Sequence, residues 1–233
     1  MTTILRTAWR VLTLRFDEED HRSLGWGHLA FGLACTWIVG MGRYWDNPRV
    51  EWLQKLGVGS VAYVFVLSAF LWLIVWPLLR ERVSFRRLLT YVTLTAPPAI
   101  LYAIPVERFM SLDDAIAANT WLLGIVAAWR VAMWVVYLAR IGDLGVWRLI
   151  VVMLLPLCLI VAALAALNLE QVVFRIMAGV EEHERSPADG AYLVLLILTY
   201  LAVYAFPVLA AAYLWFVGRD VWQRRRAKRS SEE

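Results

Sequence analysis

Cysteine, histidine and charged residues are all scarce in this chain of 233 residues. Its two cysteines, Cys35 and Cys158, lie inside apolar stretches, which argues against a disulfide framework. The three histidines do not form the pairs that hold a haem between helices, nor a His-rich metal site. Neither a GxSxG elbow nor a Walker-type glycine loop occurs, so the common serine-hydrolase and P-loop chemistries are not indicated. We therefore expect no metal and no cofactor.

Apolar residues, by contrast, dominate the composition. They make up 61% of the chain, against roughly 45–50% in an ordinary soluble domain. Charged residues supply 18%, and the mean hydropathy is +0.63. A soluble globule cannot hide that much apolar surface, and a disordered chain does not contain it. The composition predicts a polytopic membrane protein.

Six apolar runs are candidates for membrane-spanning helices, which need ~20 residues to cross ~30 Å of hydrocarbon. They are residues 26–42, 56–79, 88–105, 120–141, 146–167 and 191–217. The predicted fold class is therefore all-α, a polytopic transmembrane bundle of six helices. Its predicted parts are an N-terminal segment (residues 1–22), a six-span domain (residues 23–217) and a basic tail (residues 218–233).

Lysine and arginine are distributed unevenly between the two sides of this predicted bundle. Of the 23, 16 fall in the two termini and the connections on their side, and 6 fall in the other connections. Because cytoplasmic loops carry the excess of positive charge, we predict cytoplasmic termini in a bacterial inner membrane. The basic run with Arg224, Arg225 and Arg226 follows the last span directly. We interpret it as attracted to anionic lipid rather than to nucleic acid.

The first sixteen residues have the pattern of an amphipathic helix. Apolar residues recur at helical spacing: Leu5, Trp9, Leu12 and Phe16. Arg6 and Arg10 fall on the far side of the same helix. This pattern predicts a helix lying in the cytoplasmic interface, and the rival interpretation is a helix packed against another protein. The acidic residues 17–20 that follow are interpreted as a solvated turn.

Arg130 lies in the middle of the fourth predicted span, where a charge costs at least ~2.5 kcal/mol. At 100° per residue, Asn119, Arg130 and Tyr137 lie within about 20° of one another on that helix. One hypothesis is that this polar stripe faces a cavity in which Arg130 holds an anion, such as a lipid phosphate. The other is that Arg130 is structural and bonds carbonyl groups freed by a broken neighbouring helix.

The third predicted span is the candidate for that broken helix. Pro97 and Pro98 remove two backbone donors and Pro105 removes a third, so a regular helix cannot run through the segment. Broken helices line binding sites in transporters, so Pro97, Pro98 and Tyr102 are candidates for a site beside Arg130. The simpler alternative is a kink whose polar groups are satisfied by local side chains such as Thr95 or Tyr102.

One stretch resembles bacterial Yip1-like membrane proteins. The residues that carry the resemblance are Trp76-Pro77-Leu78-Leu79, then Ser84-Phe85-Arg86-Arg87-Leu88-Leu89, Tyr91 and Pro97-Pro98. The order of the next two spans also fits, and the similarity covers roughly residues 26–167. The resemblance implies a cytoplasmic N-terminus and a non-enzymatic protein that acts through lipids or protein partners. That family typically has five spans, and the run 191–217 adds a sixth here.

Three classes of function follow from these features. The first is a non-catalytic inner-membrane protein that organises lipids or serves as a subunit of a membrane protein complex, including a complex of identical subunits. The second is a small transporter or lipid-handling protein, with an anion or lipid-headgroup site at Arg130 beside the Pro97-Pro98 break. The third is an intramembrane enzyme, for which the sequence offers no nucleophile or acid–base pair.

Overall fold

The chain forms helices in every regular element of the part that the structure describes. This computed structural model describes residues 2–42, 45, 52–80, 82–167 and 189–230. The α-helices are α1 (Thr2–Leu12), α2 (Glu18–Ser23), α3 (Trp26–Gly42), α4 (Trp52–Lys55), α5 (Val58–Leu79), α6 (Phe85–Leu94), α7 (Leu112–Ile141), α8 (Val146–Ala166) and α9 (Asp189–Ser230). Two 3₁₀ segments, η1 (Pro97–Ala103) and η2 (Val106–Arg108), separate α6 from α7. The predicted all-α class is confirmed.

Within the described residues, four helices are long and apolar enough to cross a membrane. They contain the stretches Val58–Leu79, Asp114–Ile141, Val146–Ala166 and Leu196–Arg226. These correspond to the second, fourth, fifth and sixth predicted spans. The first predicted span is α3, a helix of 17 residues. The third is not one helix, because α6 ends at Leu94 and η1 begins at Pro97.

The break after α6 has the cause that the sequence predicts. Pro97 and Pro98 have no N–H, so the α-helical ladder cannot continue past Thr95, which caps α6. The chain proceeds as a 3₁₀ helix, which is longer than an α-helix with the same number of residues because its rise per residue is larger. The ten residues of α6 and the seven of η1 extend over about 15 Å and about 14 Å. Together they are about as long as the hydrocarbon layer is thick.

Helix α6 lies at the centre of the bundle. All of residues 88–94 are buried, and α3 and α5 pack on it. A Cβ atom at Gly32 would lie 2.2 Å from the Thr93 hydroxyl, so only glycine lets α3 approach α6 this closely. The short polar side chains of α6 bond their own helix. Thr90, for example, donates to the Arg86 carbonyl at 2.8 Å.

Segments that the charge count assigns to one side meet at one end of the bundle, here called the Arg82 end. Four polar contacts join them: Arg140 Nη1 to the Phe16 carbonyl (3.0 Å), His21 Nε2 to the Arg82 carbonyl (3.2 Å), Arg82 to Asp143 (3.1 Å) and Arg148 to Asp220 (2.7 Å). At the opposite end, here called the Trp45 end, the Trp45 indole donates to the Ala103 carbonyl at 2.9 Å. The four contacts therefore bring the N-terminal segment, the two connections that follow α5 and α7, and part of α9 together at one end of the bundle.

The predicted apolar stripe of the N-terminal segment is divided in the structure. Phe16 is fully buried and Trp9 is 65% exposed, although the pattern placed both on one face. Helix α1 instead packs on the bundle through Ala8 and Val11. Its last carbonyl, that of Leu12, accepts a hydrogen bond of 2.9 Å from the Trp129 indole. The segment thus packs against its own chain, which neither sequence interpretation proposed.

The acidic residues 17–20 are solvated only in part, since Glu18 and Glu19 are exposed and Asp20 is buried. Asp17 caps α2 by accepting from the Asp20 amide, and this hydrogen bond lowers the pKa of Asp17. Burial raises the pKa of the Asp20 carboxyl group. Arg10 pairs with both carboxylates, at 3.0 Å from Asp20. Arg6 is exposed, and a place at the membrane surface for either arginine stays a prediction.

The predicted tail continues the last helix. Helix α9 runs without a break from Asp189 to Ser230, across the predicted boundary between residues 217 and 218. Asp220 accepts two hydrogen bonds from Arg148, at 3.0 and 2.7 Å, and so fastens this part of α9 to the start of α8. Arg224, Arg225 and Arg226 follow on the same helix and are exposed.

Candidate functional site

A cavity of about 250 Å³ lies between α5, α6, η1, α7 and α8. Most of its wall is apolar, with residues such as Leu67, Leu123 and Leu157. Its polar side chains are Tyr63, Tyr91, Thr95, Tyr102 and Arg130. Among the described residues that form this wall, Arg130 is the only charged one.

Arg130 lies beside the end of the broken helix. Its Nε donates to the Thr95 carbonyl at 3.4 Å, and Thr95 is the residue that caps α6. The carbonyl end of a helix is electronegative, so a cation is favourable there. This contact with a carbonyl group at the helix break is the structural role proposed for Arg130 from the sequence. It uses one of the five N–H donors of the guanidinium group. In the part of the chain that the structure describes, Arg130 forms no ion pair.

The hydroxyl groups near Arg130 already donate elsewhere. Tyr91 donates to the Met133 carbonyl at 2.7 Å, and Thr95 donates to the Val92 carbonyl at 2.7 Å. These bonds hold the two side chains on the cavity wall. The guanidinium N–H groups of Arg130 other than Nε are the charged donors that a bound anion could use, and the Trp134 indole N–H on the same wall has no partner among the described residues.

Tyr102, Pro97 and Pro98 are predicted to form a site beside Arg130, and one of the three lines the cavity. Tyr102 lines the cavity with Arg130. Pro97 is half-buried and Pro98 is buried, and neither lines the cavity. Their effect is to end α6. The predicted broken helix and the arginine are therefore neighbours, with the Thr95 carbonyl between them.

Asn119 and Tyr137 do not join the site. They share a helical stripe with Arg130, but they lie 11 and 7 residues from it, which is about 16 and about 10 Å along α7. Asn119 is half-buried outside the cavity wall. Tyr137 is fully buried among aromatic rings at the Arg82 end. Of the three residues, Arg130 is the one that lines the cavity.

Sequence reasoning missed several residues of the cavity wall, among them Tyr63, Trp134 and Pro156. Pro156 had a local signal, since a proline inside a predicted span leaves one carbonyl of the preceding turn without its donor. Tyr63 and Trp134 had none, because an aromatic residue in an apolar run is ordinary in a membrane helix. Only the packing of α5, α7 and α8 brings them together.

No family model, no curated protein and no solved structure matches this chain. The resemblance to bacterial Yip1-like proteins therefore stays a prediction from the residues.

An aromatic cluster closes the cavity towards the Arg82 end. Tyr91 and Trp134, which line the cavity, pack on Tyr137, with ring centroids 4.4 and 5.7 Å apart. Phe16 lies 4.9 Å from the Tyr91 ring, and His21 lies 5.6 Å from the Tyr137 ring. The N-terminal segment thus supplies two rings of the barrier between the cavity and this end of the bundle.

His21 makes the packing of the N-terminal segment sensitive to pH. Burial lowers the pKa of His21 below its usual 6.5, Arg87 acts in the same direction, and the hydrogen bond to the Arg82 carbonyl and Glu18 oppose it. The unfolded chain then binds a proton at pH values where the folded chain does not. The stability contributed by neutral His21 is complete above about pH 6.5 and falls as the pH drops below that value.

We therefore expect the melting temperature of the purified protein to fall between pH 7 and pH 5.5. His21→Gln, whose amide can still donate to the Arg82 carbonyl, is expected to show a smaller fall. An equal pH dependence in both proteins would contradict the assignment to His21.

Proposed function

We propose that this protein is a multi-pass membrane protein that binds an anionic amphiphile, as a lipid-handling protein or small transporter. The observation that supports this most directly is the position of Arg130. Its guanidinium lines an otherwise apolar cavity and has no ion-pair partner among the described residues. A ligand with an acidic group and an apolar chain matches both the charge and the wall.

The cost of an intramembrane charge supports the same proposal. A single arginine at mid-span costs at least ~2.5 kcal/mol on insertion scales, and the hydrogen bond to the Thr95 carbonyl offsets part of that. An anion would use the remaining N–H donors in charge-assisted hydrogen bonds, which are about twice as strong as neutral ones. A low-dielectric, mostly apolar wall strengthens that attraction further.

In this proposal the chain crosses the membrane six times. Four crossings are the long apolar helices, and the other two are α3 and the broken pair α6 and η1. Exposed tryptophans near both ends of the helices support this placement, since tryptophan favours membrane interfaces. Trp26 and Trp147 lie at the Arg82 end, and Trp52 lies at the Trp45 end. By its charge, the Arg82 end with both termini is the cytoplasmic one in a bacterial inner membrane.

The second candidate function is a non-catalytic subunit of a membrane protein complex. A specific observation favours it: in the most apolar stretch of α9, 6% of the residues are buried within the chain, against 22–28% in the other three long helices. Its outward side carries large aromatic residues such as Tyr200, Tyr204 and Trp215. A partner helix, a second copy of the chain or lipid would cover this side.

A native mass spectrum of the protein, extracted gently from its own membrane, tests these candidates together. The binding proposal predicts one retained acidic lipid or acidic metabolite per chain, which is lost in Arg130→Gln. It should persist in Arg225→Gln, which removes an exposed arginine of the tail. A stoichiometric protein partner with no retained acidic molecule would instead favour the subunit function. A lipid retained equally by both variants would contradict a site at Arg130.

A further inference from the structure

We infer that the ligand of this cavity is an amphiphile with one chain and one negative charge. It enters sideways from the half of the membrane nearer the Trp45 end. This inference rests on the proposed function, and it adds the class of ligand and the route of entry. Three features of the cavity support it: its depth in the bundle, the exposure of its rim, and its size and charge.

The depth follows from where the lining residues lie along their helices. Arg130 lies about 15 Å along α7 from Arg140, and Thr95 lies about 15 Å from the start of α6, so both are near mid-depth. Tyr63 is near the beginning of α5 and Ile160 is near the end of α8, which are both at the Trp45 end. The cavity therefore extends from the centre of the bundle into the half nearer the Trp45 end.

The rim is exposed on that half and closed on the other. Tyr63 is 53% exposed and Ile160 is 40% exposed, and Ala127 is exposed between them on α7. Towards the Arg82 end, by contrast, Tyr91 and Trp134 are buried under the aromatic cluster. The rim residues lie within the apolar stretches of α5, α7 and α8, so the opening faces the lipid chains rather than water.

The size and charge of the cavity select the ligand. Sites for drug-sized molecules are usually about 300–1,000 Å³, and this cavity is about 250 Å³. A cavity of this size, open at its rim, encloses one hydrocarbon chain more completely than the two chains of a diacyl phospholipid. Arg130 is the one charged residue in the described wall, so a monoanion leaves no second negative charge unpaired. A fatty acid and a lysophospholipid with a phosphodiester head both meet these conditions.

Two neighbouring alanines on α7 provide a matched test of the route. Ala127 lies on the cavity wall, and Ala128 is exposed outside it. A large side chain at residue 127 would narrow the rim, whereas the same side chain at residue 128 would point away from it. Both variants add the same apolar bulk to an exposed site on one helix, so a difference between them reports the rim.

The experiment measures binding of radiolabelled dodecanoate, lysophosphatidylglycerol and dioleoylphosphatidylglycerol to the full chain in nanodiscs of a zwitterionic lipid. We expect Ala127→Trp to weaken binding of the single-chain probes more than tenfold, and Ala128→Trp to change it less than twofold. If Ala127→Trp does not fold, Ala127→Leu is expected to show a smaller loss of the same sign. Dioleoylphosphatidylglycerol, which has the head group and charge of lysophosphatidylglycerol but two chains, should bind at least tenfold more weakly than the single-chain probes. Whichever single-chain probe binds more tightly identifies the head group.

Failure of this inference is distinguishable from failure of the proposed function. If Arg130→Gln loses binding while Ala127→Trp binds normally, the route is wrong and the binding function stands. If dioleoylphosphatidylglycerol binds as tightly as the single-chain probes through Arg130, the single-chain class is wrong. If neither Arg130→Gln nor Ala127→Trp changes binding of any probe, both the inference and the proposed function are wrong.

Discussion

Phe16→Ala is expected to lower the free energy of unfolding by about 3–5 kcal/mol, the usual cost of removing a buried phenylalanine ring. Phe16 has no exposed surface and packs on the rings of Tyr91 and Tyr137. Truncation would leave a void at the point where the N-terminal segment meets α6 and α7. The measurement is thermal or denaturant-induced unfolding of the purified protein in one detergent.

Trp9→Ala is the matched control for Phe16→Ala. Both residues were predicted on the same apolar face, but Trp9 is exposed in the structure. Its truncation is expected to change the free energy of unfolding by less than about 0.5 kcal/mol, as for most surface substitutions. If Trp9→Ala destabilises the fold more than Phe16→Ala, then the packing of the N-terminal segment described here is wrong.

Arg130→Gln is expected to weaken the binding of an anionic amphiphile by about 10- to 100-fold. A hydrogen bond to a charged group contributes about 1.5–3 kcal/mol, and each 1.4 kcal/mol is about tenfold in affinity. Glutamine removes the charge but keeps a polar amide beside the Thr95 carbonyl. The dissociation constant of dodecanoate, measured on the folded protein, is the quantity to compare.

Two further variants separate the charge of Arg130 from its structural contact. Arg130→Lys keeps the charge and is expected to lose less affinity than Arg130→Gln, although lysine cannot reproduce the planar donor geometry of arginine. Arg225→Gln removes an exposed arginine and is expected to bind normally. If Arg130→Gln lowers the melting temperature but binds dodecanoate with unchanged affinity, Arg130 is purely structural.

The break in the third apolar run could be predicted because its cause is local. Pro97 and Pro98 remove two successive backbone donors, and α6 ends just before them. The single prolines Pro77, Pro156 and Pro207, by contrast, lie inside α5, α8 and α9. The length of an apolar run can likewise be read from the sequence without knowledge of the fold. These lengths predicted the four helices that are long enough to cross a membrane, and α3 at its observed bounds.

The face of the N-terminal helix could not be predicted in the same way. Periodicity states which residues share a side of a helix, but not what that side contacts. The chain turns back after α1 through Leu14, whose φ of 61° is unusual for a residue other than glycine. Arg10 holds the turn by donating to the Arg15 carbonyl at 3.1 Å and by pairing with the acidic residues. This reversal places Phe16 inside the bundle and leaves Trp9 outside.

By itself, the sequence determined the helical class, the positions of the apolar runs, the break at Pro97-Pro98 and the position of one arginine, Arg130, in the middle of an apolar run. These features follow from residue type and from distance along one helix. Only the tertiary structure decided that Arg130 meets the Thr95 carbonyl and shares a cavity with Tyr63 and Tyr91, while Tyr137 lies in a separate cluster. The physical reason is that a cavity forms where several helices diverge, and the crossing positions of helices are not contained in the periodicity of any one of them.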